Sequence, residues 1–203
     1  MNQDSTRLEP WIGMIRTLTF ANRPSEAYTW IGRGLTLFPN SIELMALRAV
    51  NHARRGMVRR AMNNSDAALE QVPNLPLAHM ARGEVLILAE NKNYDFCFEQ
   101  CIKLSAPGDW ETPFLVGLIL EERRLWGKAM TYYTTTSERF EHNPALWYHV
   151  GRCRAELGHG LKAEHAFEQA RELCEAGDPL LARLRGARGG ALWNRVRSLF
   201  RRT

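Results

Sequence analysis

NPALWYHVGRCRAELGHGLKAEHAFEQA, residues 143–170, is the stretch whose reading decides the fold. Gly158 and Gly160 break it into two segments, each with apolar residues at helical spacing. Small residues (Gly151, Ala163, Ala170) stand among bulky ones (Trp147, Val150, Phe167). A glycine inside a helix costs roughly 1 kcal/mol relative to alanine, so Gly151 implies that something packs too close for a side chain. The expectation is two antiparallel helices in contact at Gly151 and Ala163, with Trp147 and Phe167 filling the space around that contact.

The pattern recurs along the chain. Moving back 34 residues at a time carries Gly151 to Gly117 and Gly83. The same frame aligns Ala163 with Ala129, Ala61 and Ala27, and Pro107 with Pro73 and Pro39. Five units follow without insertion, at 8–41, 42–75, 76–109, 110–143 and 144–177, after an N-terminal extension of residues 1–7. Such a unit cannot bury its apolar stripe alone, and stacking its neighbours makes a continuous core.

Some units depart from the pattern. Arg48 and Ser65 occupy apolar positions in the second, and Arg82, Asp95 and Glu99 do so in the third. In the third the spacing returns two residues late, at Cys97, Cys101 and Leu104, which predicts a longer turn around residues 90–93.

On Trp147, Val150, Gly151, Ala163, Phe167 and Ala170, and on Trp11, Met14, Ala27, Ile31 and Pro39, the chain resembles the tetratricopeptide-repeat (TPR) family. The resemblance implies an all-α fold, a right-handed solenoid of helix-turn-helix units with a C-terminal capping or amphipathic helix. It also implies a concave surface lined by the first helix of each unit, on which the family commonly holds a peptide or a helix. Mapped onto this chain, the inward positions put Ile12, Arg16, Val50, Met80, Glu84, Ile87, Phe114, Leu118, Tyr148 and Arg152 in that groove. The Lys/Asn/Arg set with which chaperone-binding members grip a terminal carboxylate is missing. The expected ligand is instead an apolar peptide or amphipathic helix of a protein partner. Self-association that buries the strip is the competing outcome.

No catalytic motif is assembled. None of the six histidines forms HExxH, there is no phosphate-binding GxxxxGK[ST], and no strand precedes a glycine-rich loop. Cys97 and Cys101 stand four apart, but they fall where small core residues belong, so buried thiols are favoured over a metal pair. The reading is a non-enzymatic adaptor with no cofactor and no metal. Four cysteines among 203 residues suit a reducing compartment, and no apolar run approaches the ~18 residues of a membrane span. The expected location is the cytoplasm.

Charge is unevenly placed. Residues 178–203 hold seven Arg, no Lys and one acid, and the rest holds 20 basic and 21 acidic side chains, so the body is near neutral. That composition argues against a broadly basic nucleic-acid surface. Asp178-Pro179 starts a sixth first-helix suited to capping, which Gly186–Gly190 is expected to interrupt. Beyond it, ALWNRVRSLFRRT (191–203) sets Leu192, Trp193, Val196, Leu199 and Phe200 on one stripe, with Arg195, Arg197, Arg201 and Arg202 largely elsewhere. Such a segment can cap the last repeat, enter a neighbour's groove, or contact an anionic membrane. The last option gives the alternative function, a peripheral scaffold tethered at the inner face of a membrane. A further basic run, Arg54-Arg55-Gly-Met-Val-Arg59-Arg60, surrounds the turn of the second unit; it reads as a solvated turn or as an anion contact.

Overall fold

A computed structural model describes residues 7–189. Among these residues it contains eleven α-helices and no strand. Ten form antiparallel pairs: α1 (Leu8–Phe20) with α2 (Pro24–Leu37), α3 (Ile42–Arg54) with α4 (Val58–Gln71), and α5 (Pro76–Leu88) with α6 (Tyr94–Leu104). α7 (Glu111–Glu122) pairs with α8 (Trp126–Arg139) and α9 (Pro144–Glu156) with α10 (Gly160–Leu173), and α11 (Leu180–Gly189) follows. The chain divides into two compact units, one ending at Pro107 and one beginning at Gly108. The first contains α1–α6 and the second α7–α11.

Local chemistry starts and stops these helices. The Ser41 hydroxyl accepts from the Leu44 amide (3.2 Å), and the Asn143 side chain accepts from the amides of Ala145 and Leu146 (3.0 and 3.3 Å). Asp109 does the same for Glu111 and Thr112 at the start of α7 (3.0 and 3.1 Å). Pro24, Pro76 and Pro144 sit in first turns, where a missing N–H is no loss. The turn inside every pair contains one residue in the left-handed region: Asn22, Gly56, Glu90, Arg124 and Gly158, each 34 positions on from the last. Only two are glycine, so this register is marked by backbone geometry rather than residue type. Because Glu90 keeps the register while α6 begins only at Tyr94, the longer third turn gains its residues after Glu90.

Packing within each pair turns on a ring against a glycine. A methyl group added to Gly151 would meet three carbons of the Phe167 ring at 2.5 to 3.0 Å, and Gly83 faces Phe98 and Gly117 faces Tyr133 more closely still. The aligned alanines Ala27, Ala61, Ala129 and Ala163 are buried as expected, but the immediate neighbour of Gly151 is the Phe167 ring rather than Ala163. In the third pair that ring is Phe98, not the shifted Cys101.

The departures in the second and third units answer each other. Ser65 takes less room than an aromatic ring, and Arg82 uses it, donating to Ser65 Oγ at 3.1 Å and pairing with Asp66 at 2.5 Å. Arg48 donates to Asn64 Oδ1 at 2.8 Å. At the other end, α11 is not interrupted at Gly186 but runs on to Gly189, since the helix tolerates a glycine that faces open space. Its Leu184 is buried in a cluster with Ala163, Phe167 and Ala170.

Candidate functional site

The first helices α1, α3 and α5 carry the inward positions of the first compact unit, and here the expected groove is partly filled. α3 presents Ala46, Ala49, Val50 and Ala53, all essentially inaccessible. Val50 is packed with Ala68, Ala78 and Ala81 between α3, α4 and α5. Met80 is 2% exposed and Glu84 is fully buried. Val50, Met80 and Glu84 were expected to face a partner; they are core residues. The small side chains of α3 let α5 close over the positions they would have lined. Ile12, Arg16 and Ile87 remain half-buried.

Glu84 makes an internal ion pair. Its Oε1 lies 2.9 Å from Arg54 Nε, with both side chains buried. Arg54 also donates to the Thr19 carbonyl (3.2 Å), and its guanidinium lies 4.7 Å over the Phe20 ring. One arginine therefore ties α1, α3 and α5 together. Removing one partner of such a pair leaves a buried charge and costs about 3–5 kcal/mol.

The second compact unit has a different arrangement on α7 and α9. The buried Glu121 accepts from the Tyr133 hydroxyl at 2.5 Å, and the same oxygen lies 2.8 Å from His149 Nδ1. Its other oxygen is 2.9 Å from an Arg152 nitrogen. Burial alone would push the Glu121 carboxyl up; the hydrogen bond and charge of His149, helped by Tyr133 and Arg152, outweigh burial and hold it below its ordinary value. Burial first, and then the Glu121 charge, drive the Tyr133 hydroxyl well above its ordinary value. The same two causes push the Cys153 thiol up to about 12. Glu121 is thus an ionised carboxylate held among internal partners and Cys153 an inert thiol, the opposite of what an acid catalyst or a nucleophile needs.

Around this carboxylate lie three of the expected groove residues, Phe114, Leu118 and Tyr148, all half-buried. The Phe114 ring is 5.9 Å from Tyr133 and 5.7 Å from His149. Tyr148 touches the His149 and Phe167 rings at 5.2 and 6.1 Å. Arg152 extends over Tyr148 at 5.9 Å with nearly half of its side chain exposed. The structure therefore brings together Phe114, Leu118, Tyr148 and Arg152. It adds Glu121, which the repeat frame places at an inward position, Tyr133, which the frame places at the aromatic position of the fourth unit, and His149, to which sequence reasoning gave no place. The signal available was an acid at an inward position of α7 and an arginine at an inward position of α9.

Arg195, Arg197, Arg201 and Arg202 lie outside the described residues. Among those described, no helix is long and apolar enough to cross a membrane.

Paired helices joined by left-handed turns in a 34-residue register, with a ring seated on a glycine in three of the pairs, constitute the tetratricopeptide-repeat fold, and the comparisons with solved structures agree. TTC0263, a thermophilic TPR protein of Thermus thermophilus, is 17% identical, with a TM-score of 0.65 over 88% of this chain and 96% of that one. YrrB, a TPR protein with an unusual peptide-binding site, is 18% identical, with a TM-score of 0.51 over 88% of this chain and 91% of that one. A chain of the Cut9–Hcn1 hetero-tetramer of the APC/C is 12% identical, with a TM-score of 0.62 over 84% of this chain and 32% of that one. At such identities the likeness establishes fold alone. No family model and no curated protein sequence matches the chain.

Proposed function

We propose that the chain is a non-enzymatic adaptor that holds an apolar peptide or amphipathic helix of a partner protein on the first-helix face of its second compact unit. The observation that carries this reading is the group Phe114, Leu118 and Tyr148, half-buried beside the exposed guanidinium of Arg152. Glu121 beside them is already engaged by Tyr133 and His149 and paired with Arg152, so the face offers apolar contact and a cation rather than a reactive group. The matching ligand is a segment with two or three apolar side chains at helical spacing and an acid for Arg152. YrrB, with its peptide-binding site, and the Cut9–Hcn1 assembly make protein partners a natural use of this fold. The buried free thiols Cys97, Cys101 and Cys153 suit a reducing compartment such as the cytoplasm.

Capture of partners by the intact chain, compared with a Leu118→Glu plus Tyr148→Ala variant, tests the proposal. Both side chains are partly exposed, so the variant should keep its melting temperature within a few degrees and lose the partner. Recovery of the same partner by both chains would sink it.

A further inference from the structure

A second cluster of polar groups, unused by the proposed interaction face, lies in the first compact unit where α2, α3 and α4 meet. Arg48, His52 and Arg55 follow one another at helical spacing along α3 and at its C-terminal end, so they share a face. Asn64 of α4 accepts from Arg48 Nε at 2.8 Å, and Arg60, one turn before Asn64, shares its face of α4. Tyr28 of α2 closes the third side. Its ring lies 5.6 Å from that of His52, and the Arg55 guanidinium sits 4.5 Å over it.

The charges here are not balanced from within. Of the carboxylates on the flanking helices, Glu26 is engaged by Arg23, Asp66 by Arg82 and Glu84 by Arg54, while Glu70 stands in the last turn of α4, at the opposite end from Arg59 and Arg60. Arg55 and Arg60 are exposed and make no ion pair among the described residues. His52 is 4% exposed, and its Nδ1 is buried without a hydrogen-bond partner. The first turn of α4 adds Arg59 and contains no acid, and its N-cap residue Met57 makes no side-chain cap. Like charges gathered around a buried imidazole, beside the positive end of a helix, repel one another unless an anion joins them.

We infer that Tyr28, Arg48, His52, Arg55 and Arg60 form a binding site for a dianionic phosphate group, carried on a side chain as a monoester or free in solution. A dianion matches several guanidinium forks at once, which a lone carboxylate cannot. Burial, and then Arg48, Arg55 and Arg60, hold the His52 imidazole below its ordinary value. A bound dianion opposes those three cations, so His52 takes up a proton at higher pH when the site is filled.

The test follows the ring signals of His52 and Tyr28 by NMR in the full chain at constant ionic strength. The probes are inorganic phosphate, O-phosphoserine and acetate. Saturable shifts with both phosphates at least about tenfold tighter than with acetate are expected, together with a rise in the His52 titration midpoint. Arg55→Ala plus Arg60→Ala should weaken phosphate by about tenfold or more while leaving the melting temperature in place. If that double variant melts early, Arg60→Gln alone serves, with a loss of about threefold or more expected. Tighter binding of phosphoserine than of inorganic phosphate assigns a phosphorylated side chain as the source, and equal binding assigns the free anion. Equal shifts with acetate, or unchanged phosphate binding in the variants, would overturn the site.

Discussion

A single added methyl group separates the glycines of this chain by role. At Gly117 it would press on the Tyr133 ring, and that ring cannot retreat because Glu121 holds its hydroxyl. Gly117→Ala should therefore destabilise the protein by about 1–3 kcal/mol, read as a lower urea midpoint. Gly13, inside α1, has open space where its Cβ would stand, so Gly13→Ala should stabilise by up to about 1 kcal/mol. A similar response at both positions would show that the ring contact is unimportant. The left-handed turn residues give a second case. Arg124 has φ of 59°, a region unfavourable for a residue with a Cβ, and Arg124→Gly should raise the unfolding free energy by about 1 kcal/mol. No gain in the urea midpoint would mean that the turn is not strained. The repeat frame made the glycines legible in the sequence, but not which ring meets them, because Phe98 stands one residue from the frame position and only packing reveals it. Asn22 is of a type that tolerates a left-handed backbone, but Glu90 and Arg124 were illegible for another reason: nothing in those side chains advertises one.

Between helices, the informative features are polar groups in apolar places. Arg82 in an apolar position and Ser65 in an aromatic one read as separate flaws in the sequence, yet each explains the other once α4 and α5 are side by side. Glu84 reads as an inward-facing charge and Arg54 as part of a solvated or anion-binding turn, yet they prove to be buried partners, closing the face that Glu84 was expected to open. A one-dimensional register cannot show this, because whether an inward position stays accessible depends on side-chain size across three helices. On α7 and α9 the Glu121 network makes a prediction about acid. Its carboxyl titrates below its ordinary value in the folded state, so its contribution is fully present above the unfolded carboxyl pKa of about 4.3 and is lost as pH falls through the lower folded value. His52 adds to the acid weakness earlier. Its folded pKa is lowered, so the stability it contributes above the unfolded value of about 6.5 declines as pH falls from there to the folded value. Urea midpoints measured from pH 7 to 3 should fall in two stages, with the lower stage reduced in Glu121→Gln and the upper one absent in His52→Phe. A Glu121→Gln profile parallel to wild type down to pH 3 would contradict the assignment.

Across the molecule, composition and a 34-residue register sufficed for the fold class, because every pair repeats the same demands: a small residue opposite a bulky one, and a turn between. Burial, by contrast, is not spread evenly over the repeats, and this has a kinetic consequence. In the unit ending at Pro107, α3 contributes eight buried residues and α5 seven, against three each from α1 and α2. In the unit beginning at Gly108, α7 contributes eight, whereas Leu184 is the one buried side chain among those described in α11. In a repeat protein each helix depends on its neighbours, so helices covered on several sides open only with their unit, and thinly covered ones open locally. Native-state hydrogen exchange should therefore find the slowest amides in α3 and α5 of the first unit and in α7 of the second. α1 and α2 should exchange earlier within the first unit, and α11 earliest within the second. The Leu118→Glu plus Tyr148→Ala variant, altered only at partly exposed positions, should leave that order intact. Uniform protection, or α11 outlasting α7, would show that buried side chains do not govern local opening here.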